Sequence, residues 1–239
     1  MQLADKIGKL RNGQAFTSAQ RHIRETLFLR PQARDLTAER LIQSIQSPKF
    51  DAICRRYPGD SRGWPKYFNL AEWIPKNLAR VRQLGLDCGL RKTILDLGCG
   101  AGYFLFISQY LGHDVLGLDL DDFPLFREMI ELLGLSRVIW RIQPYVRLPI
   151  FQKKFDLITA FMICFNGHKS PKLWGRKEWQ FFVEDASTHL KPNGRICLSF
   201  NSEPDGTFYT RDLARFFADR GGQLNGRTVI LPADSNLVA

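Results

Sequence analysis

The stretch Thr93–Phe104 reads TILDLGCGAGYF. Gly98, Gly100 and Gly102 stand at every second position behind Asp96. Glycine permits backbone angles and close approaches that a side chain blocks. The run Thr93 to Leu97 is too short for a helix and suits a buried strand. The aromatic and aliphatic residues after the loop open a helix that Gly112 ends. A strand, a glycine turn and a helix N-terminus direct backbone N–H groups at one spot, where an anion is stabilised. The phosphate-loop motif is absent, because no Lys-Ser or Lys-Thr follows the glycines. The spacing is G-x-G-x-G, not the dinucleotide G-x-G-x-x-G. The alternative is a tight strand-to-helix turn with no ligand.

The elements that position this loop alternate from residue 90 onward. Strands are predicted over Thr93–Leu97, Val115–Asp119, Arg137–Ile142, Asp156–Phe165 and Arg195–Phe200. Helices are predicted over Gly102–Leu111, Pro124–Leu133, Glu178–Leu190 and Thr210–Arg220, with a turn at Lys191–Gly194. Such alternation implies a parallel sheet with helices on both faces. Asn225-Gly226 lies between two strand-like pieces, which predicts a terminal hairpin and an antiparallel last strand. The fold expected is therefore α/β: a doubly wound, mostly parallel, seven-stranded sheet with an antiparallel C-terminal strand and an N-terminal helical extension.

That extension spans residues 1–89, and the α/β domain spans 90–239. Its helices are predicted over Ser18–Leu29, Thr37–Gln46, Pro48–Arg56 and Leu70–Leu84, with a loop over Gly59–Trp64. Asn69 and Glu72 are placed as a capping box. The extension either covers one side of the sheet or forms a lid over the site. Trp64, Lys66, Tyr67, Trp73 and Trp174 are lid candidates, or residues that simply bury the helix-to-sheet junction.

Composition sets outer limits. The chain has 239 residues, 44% of them apolar, enough for a sizeable core. The longest apolar run, Leu157 to Phe165, is far below membrane-spanning length. The N-terminal MQLADKIGKLRNGQ has no secretory pattern. The five cysteines are odd in number and form no C-x-x-C pair, so neither a disulfide framework nor a zinc site is expected. Cys164 and Cys197 are expected to be small buried hydrophobes. A reduced, cytoplasmic protein without a metal is the simplest expectation. The formal net charge of +10 is spread over scattered Lys and Arg with no run of five. That favours a solvated basic surface over a nucleic-acid footprint.

The stretch ILDLGCGAGYF, the topology, and the later VLGLDL, FDLITAF and LKPNGRICLSF resemble class I S-adenosylmethionine-dependent methyltransferases over about residues 92–231. The resemblance implies S-adenosyl-L-methionine as cofactor, with Asp96, Gly98, Gly100 and Gly102 lining its methionine part. The cofactor carries a carboxylate and no phosphate, in keeping with the missing lysine. Asp119 ends the second strand, where a carboxylate can accept two hydrogen bonds from ribose hydroxyls. Asp121 and Asp122 are competitors; alternatively all three are turn residues capping a helix. Family members often carry Gly-Asp-Ala after the third strand. Here that stretch is Gln143 to Pro149, without an acid, so backbone groups or Gln143 read adenine. Asp156 is expected to be structural.

Methyl transfer requires an acceptor positioned in line with the methyl and, for some acceptors, a base. The segment after the fourth strand, Phe165 to Gly175, is where ligands sit in open α/β sheets. His168 could serve as the base and Asn166 could orient the acceptor; alternatively they form a turn and a partly exposed loop residue. His189 suits a helix C-terminus, and His22 and His113 lack context. No Pro-Pro-aromatic motif follows the fourth strand, Cys164 lacks a neighbouring proline, and no Lys-Asp-Lys-Glu set can be assembled. The expected acceptor is a small or medium organic molecule, methylated at oxygen or nitrogen. RNA methylation, motivated by the charge, and a non-catalytic cofactor-binding regulator are the alternatives. A nicotinamide-dependent oxidoreductase is weaker.

Overall fold

The computed structural model describes residues 29–57 and 64–233. The predicted helix over Ser18–Leu29, apart from Leu29, the loop residues 59–63, His22 and the Trp64 side chain lie outside that description. Strands β1 (Thr93–Leu97), β2 (Asp114–Asp119), β3 (Arg137–Ile139), β4 (Phe155–Ile163), β5 (Leu190–Phe200), β6 (Gln223–Asn225) and β7 (Thr228–Pro232) form one sheet. Their order is β3-β2-β1-β4-β5-β7-β6. Only β7 runs antiparallel to its neighbours, β5 and β6. The strand order reverses between β1 and β4, which opens a crevice at the carboxyl ends of the strands.

The helices are α1 (Ala38–Ile45), α2 (Pro48–Arg56), α3 (Leu70–Gln83), α4 (Tyr103–Tyr110), α5 (Pro124–Leu132), α6 (Arg176–Thr188) and α7 (Arg211–Asp219). Local chemistry sets their starts. Thr37 caps α1 by accepting from Arg40 N, and Ser47 caps α2 by accepting from Phe50 N, with Pro48 opening the helix. Asn69 caps α3 by accepting from Glu72 N at 3.2 Å. The return contact of Glu72 goes to the Asn69 amide at 3.4 Å, while the Asn69 N–H donates to Lys66 O. The capping box is therefore only half formed.

Two cores sandwich the sheet. Helices α1 to α5 share one: Leu41, Ile45, Phe50 and Ile53 are buried in the same cluster as Ile74 and Leu78 of α3 and Leu105 and Ile107 of α4. Helices α6 and α7 share the other, around Trp179, Phe182, Phe216 and Phe217. The N-terminal helices thus cover one face of the sheet as part of a continuous core.

The structure departs from the sequence reading in three places. The third strand stops at Ile139 rather than Ile142. Trp140 N still donates to Asp119 O at 3.0 Å, but β2 ends there and offers no later partner. Lys191–Gly194 is a bulge inside β5 rather than a turn before it. Pairing runs from Phe155 with Leu190 to Leu157 with Arg195, and Asn193 takes φ +63° to absorb the extra residues. The fourth strand ends at Ile163, because Met162 adopts φ +54° at a second break in the β4–β5 register. The terminal hairpin is present. Asn225 closes β6, and the two-residue turn is Gly226-Arg227, with Gly226 at φ +55°.

Candidate functional site

A cavity of about 1070 Å³ opens at the carboxyl ends of β1, β2 and β4. Asp96, Gly98, Gly100, Gly102, Asp119 and Gln143 all line it, although they come from three separate strand ends. The loop after β1 is anchored from below: Gly98 N and Cys99 N donate to Leu118 O at 2.7 and 3.3 Å. Gly98, Gly100 and Gly102 take φ of +73°, +53° and +78°.

Gly102 is constrained twice. It starts α4 from left-handed backbone, and an added Cβ would lie 2.6 Å from Leu135 Cδ1 and 2.7 Å from Ile130 Cδ1. Gly102→Ala should therefore lower stability by about 2–4 kcal/mol, from backbone strain plus overpacking. Gly98→Ala, whose Cβ meets no atom within 4 Å, should carry the backbone strain alone. Thermal unfolding of the two variants checks this; equal losses would refute the packing argument.

Asp119 holds the rim of the loop. Its Oδ2 accepts from Gly100 N at 2.6 Å and its Oδ1 from Leu120 N at 2.7 Å. Each oxygen keeps a further lone pair. Burial raises its pKa, while these two N–H groups and the Arg137 guanidinium oppose that rise. The competitors are engaged elsewhere: Asp121 pairs with Arg137 and Arg127, and Asp122 with Arg141. Neither lines the cavity.

Asp96 ends deep in the cavity floor, only 3% exposed. The Thr159 hydroxyl donates to its Oδ1 at 2.6 Å. Burial raises its pKa to about 7, against the opposing pull of Thr159 and Arg80. Arg80 and Asn77, on α3, are among the cavity residues that the sequence reading missed. Arg80 Nη1 donates to Asn77 Oδ1 at 2.9 Å, and its guanidinium sits 4.4 Å above the Phe161 ring. Burial pulls its pKa below the ordinary arginine value. Among the described residues Arg80 forms no ion pair. A faint signal existed: Trp73, Asn77 and Arg80 fall at helical spacing. On an amphipathic helix, however, an arginine reads as solvent-facing.

Tyr67 and Trp73, stacked at 5.2 Å, build the cavity wall together with Lys66, and Trp174 also lines it. Cys164 corrects the sequence reading. It is exposed and lines the cavity, because the break at Met162 turns it out of the strand. His168 is not among the cavity-lining residues, though its neighbour Gly167 is. Its Nδ1 meets Glu203 Oε1 at 2.8 Å. Asn166 lines a second, adjoining cavity. Asp156 is structural, accepting from Thr93 N at 2.7 Å and Lys191 Nζ at 2.8 Å. His113 is buried between Lys92 N and Leu86 O. His189 caps α6, but burial lowers its pKa, so it is a weaker cation there than expected. Among the described residues no cluster could hold a metal ion, and no helix is long and apolar enough to cross a membrane.

Residues 94–194 match the family model described as "Methyltransferase domain". No curated protein sequence matches the chain. Among solved structures, DesVI from Streptomyces venezuelae is similar at 14% identity and a TM-score of 0.52, over 75% of this chain and 100% of that one. The magnesium protoporphyrin IX methyltransferase of Synechocystis PCC 6803, solved with bound SAM, is 15% identical over 83% of this chain and 97% of that one, with a TM-score of 0.47. At 14% identity the likeness to DesVI is one of fold.

Proposed function

We propose that this chain, whose residues 94–194 match a methyltransferase-domain model, is a class I, S-adenosylmethionine-dependent methyltransferase that transfers a methyl group to an oxygen or nitrogen of a small or medium organic acceptor. The observation that supports this most is the Asp119 carboxylate. It is tied to the glycine loop by Gly100 N at 2.6 Å and still has lone pairs free for a diol. A cavity of about 1070 Å³ slightly exceeds the range for one drug-sized ligand, about 300–1,000 Å³, which supports an acceptor beside the cofactor.

Each residue has a distinct task. Asp119 accepts from the ribose hydroxyls, and Gln143 lies where the adenine edge is read. The glycines keep side chains out of the loop backbone that the cofactor approaches. Asp96 and Arg80 line the same cavity without touching one another, a complement for the ammonium and carboxylate of an amino acid. The cofactor supplies an electrophilic sulfonium methyl. Tyr67 and Trp73 offer ring faces that position an acceptor and exclude water. Glu203 holds Nδ1 of His168, and since His168 lines neither cavity, proton removal through its Nε2 applies only to a hydroxyl acceptor that reaches beyond Gly167. Asn166 orients the acceptor.

Titration calorimetry with S-adenosylmethionine, its demethylated product and NAD tests the reading. Binding of the first two is expected; binding of NAD alone would sink it. Arg80→Met should weaken S-adenosylmethionine by about 10–100-fold, the worth of a charged hydrogen bond. It should leave 5′-methylthioadenosine, which lacks the amino-acid end, unchanged. Equal losses for both ligands would remove Arg80 from the carboxylate role.

A further inference from the structure

Two side chains lining the cofactor cavity are lysines without a counter-charge. Lys66 stands in the 3₁₀ turn Trp64–Phe68, just before α3, and Lys172 in the segment that follows β4. Among the described residues neither ammonium takes part in an ion pair or a hydrogen bond. Lys66 Nζ lies 5.1 Å from the centre of the Tyr67 ring. Other cations nearby are paired. Arg141, also in the lining, donates to Asp122 at 2.8 Å, and Lys76, beside Trp73, donates to Glu72 at 2.5 Å. The acids in the lining, Asp96 and Asp119, are engaged by the Thr159 hydroxyl and by Gly100 N and Leu120 N.

Both lysines are exposed, but both stand on braced backbone. Lys66 O accepts from Trp73 Nε1 at 2.7 Å and from Asn69 N at 3.2 Å. Lys172 belongs to a loop folded onto itself. Ser170 N and Oγ donate to Gly167 O at 3.0 and 2.8 Å, and Lys172 N donates to Ser170 Oγ at 3.1 Å. Gly167 takes φ +75°, and a Cβ there would lie 2.3 Å from Lys172 O, so the loop closes only on glycine. Lys66 also lies near the end of β4. Burial raises the Cys164 pKa, while a hydrogen bond from Asn201 and the Lys66 ammonium pull it down. The two charges therefore flank the segment after β4, apart from the glycine loop. Their four-carbon stems let two ammonium groups converge on one anion. With the neighbouring cations neutralised, the site suits a single anionic group and not a chain of phosphates.

We propose that the methyl acceptor carries one anionic group, a carboxylate or a phosphate, which Lys66 and Lys172 hold. That this anion is the methyl acceptor rests on the proposed function; that the cavity binds an anion there does not.

The test uses benzoate and benzamide, rings of similar shape that differ in charge. Both are titrated into the full chain saturated with the demethylated cofactor, whose carboxylate occupies Arg80, and the tryptophan side-chain N–H signals are followed by NMR. Trp73, which donates to Lys66 O, is the reporter beside the lysines. Benzoate should bind in the millimolar range and about tenfold more tightly than benzamide, from two partly solvated ion pairs. That advantage should disappear as salt cuts the Debye length from about 30 Å to about 3 Å. Replacing both lysines, Lys66→Met with Lys172→Met, should abolish it. Benzamide binding and the melting temperature should not change, because methionine keeps an apolar stem. Lys177→Met, at an exposed lysine outside both cavities, should have no effect. Phenyl phosphate assigns the anion: binding more than about tenfold tighter than benzoate, beyond the gain from its second charge, marks a phosphate, and anything less marks a carboxylate. Equal binding of benzoate and benzamide, a benzoate advantage that survives in the double lysine variant, an equal loss in Lys177→Met, or no binding of any probe at about 10 mM would each overturn the proposal. Failure of the wild type to bind the demethylated cofactor would count against the cofactor reading alone. The comparison is then repeated without it, and the double variant still separates the lysines from Arg80.

Discussion

Asp119→Ala is expected to bind S-adenosylmethionine at least about 100-fold more weakly than the wild type, from two lost hydrogen bonds to a charged acceptor at about 1.5–3 kcal/mol each. The substitution has a second consequence. Gly100 N and Leu120 N lose their acceptor, so the glycine loop loses its tie to the end of β2. Asp119→Asn separates the two effects. It keeps the size of the side chain but sets an amide NH₂ against one of those backbone N–H groups. Its affinity should fall between the other two proteins. Calorimetric titration of all three, with a thermal melt as control for folding, checks the assignment. Wild-type affinity in the alanine variant would mean that the ribose is read elsewhere.

The second large effect concerns pH and Asp96. Burial raises its pKa to about 7 in the folded protein, against about 3.9 for a free aspartate. Between those values the folded state holds a proton that the unfolded state has released. The stability this proton contributes is fully present below about pH 4 and is lost as pH rises through about 7. Ligand-free wild type should therefore lose stability across that window relative to Asp96→Asn. Cofactor binding should run the opposite way. A ligand ammonium beside Asp96 favours the carboxylate, so binding expels the proton. Affinity should rise by up to about tenfold per pH unit below 7 and level off above it. Calorimetry in buffers of different ionisation heat would detect the released proton. A flat affinity profile from pH 5.5 to 8 would show that Asp96 does not face the ammonium.

Much of this site can be read from the sequence because its determinants are local. The glycine spacing, the strand before it and the aspartate 17 residues beyond Gly102 all lie within one βαβ unit. The parallel sheet with helices on both faces followed from alternation, and the hairpin from Asn225-Gly226. What escaped reading depends on tertiary placement. Arg80 reaches the cavity only because α3 packs beside α4, and nothing near Arg80 in the chain indicates that. Cys164 looked buried because it lies in an apolar run. Its exposure follows from left-handed backbone at Met162, a conformation for which methionine gives no compositional sign. The second cavity is built from two segments about 35 residues apart and belongs to neither alone.

The wall formed by Tyr67 and Trp73 also determines how molecules pass in and out. The Tyr103 hydroxyl, one residue beyond the glycine loop, donates to Tyr67 O at 2.5 Å. Trp73 Nε1 donates to Lys66 O at 2.7 Å, and the Tyr67 ring meets Phe126 edge to face at 5.1 Å. Loop, wall and α5 are thereby fastened into one body. Swinging the wall outward would break these contacts together and pull the start of α4 with it. Residues 141–146 are coil and turn, held by side chains: Arg141 to Asp122 at 2.8 Å and the Tyr145 hydroxyl to Glu178 at 2.5 Å. The release step of turnover is expected to respond to changes in the 141–146 segment, held only by side-chain contacts, rather than to changes in the braced wall.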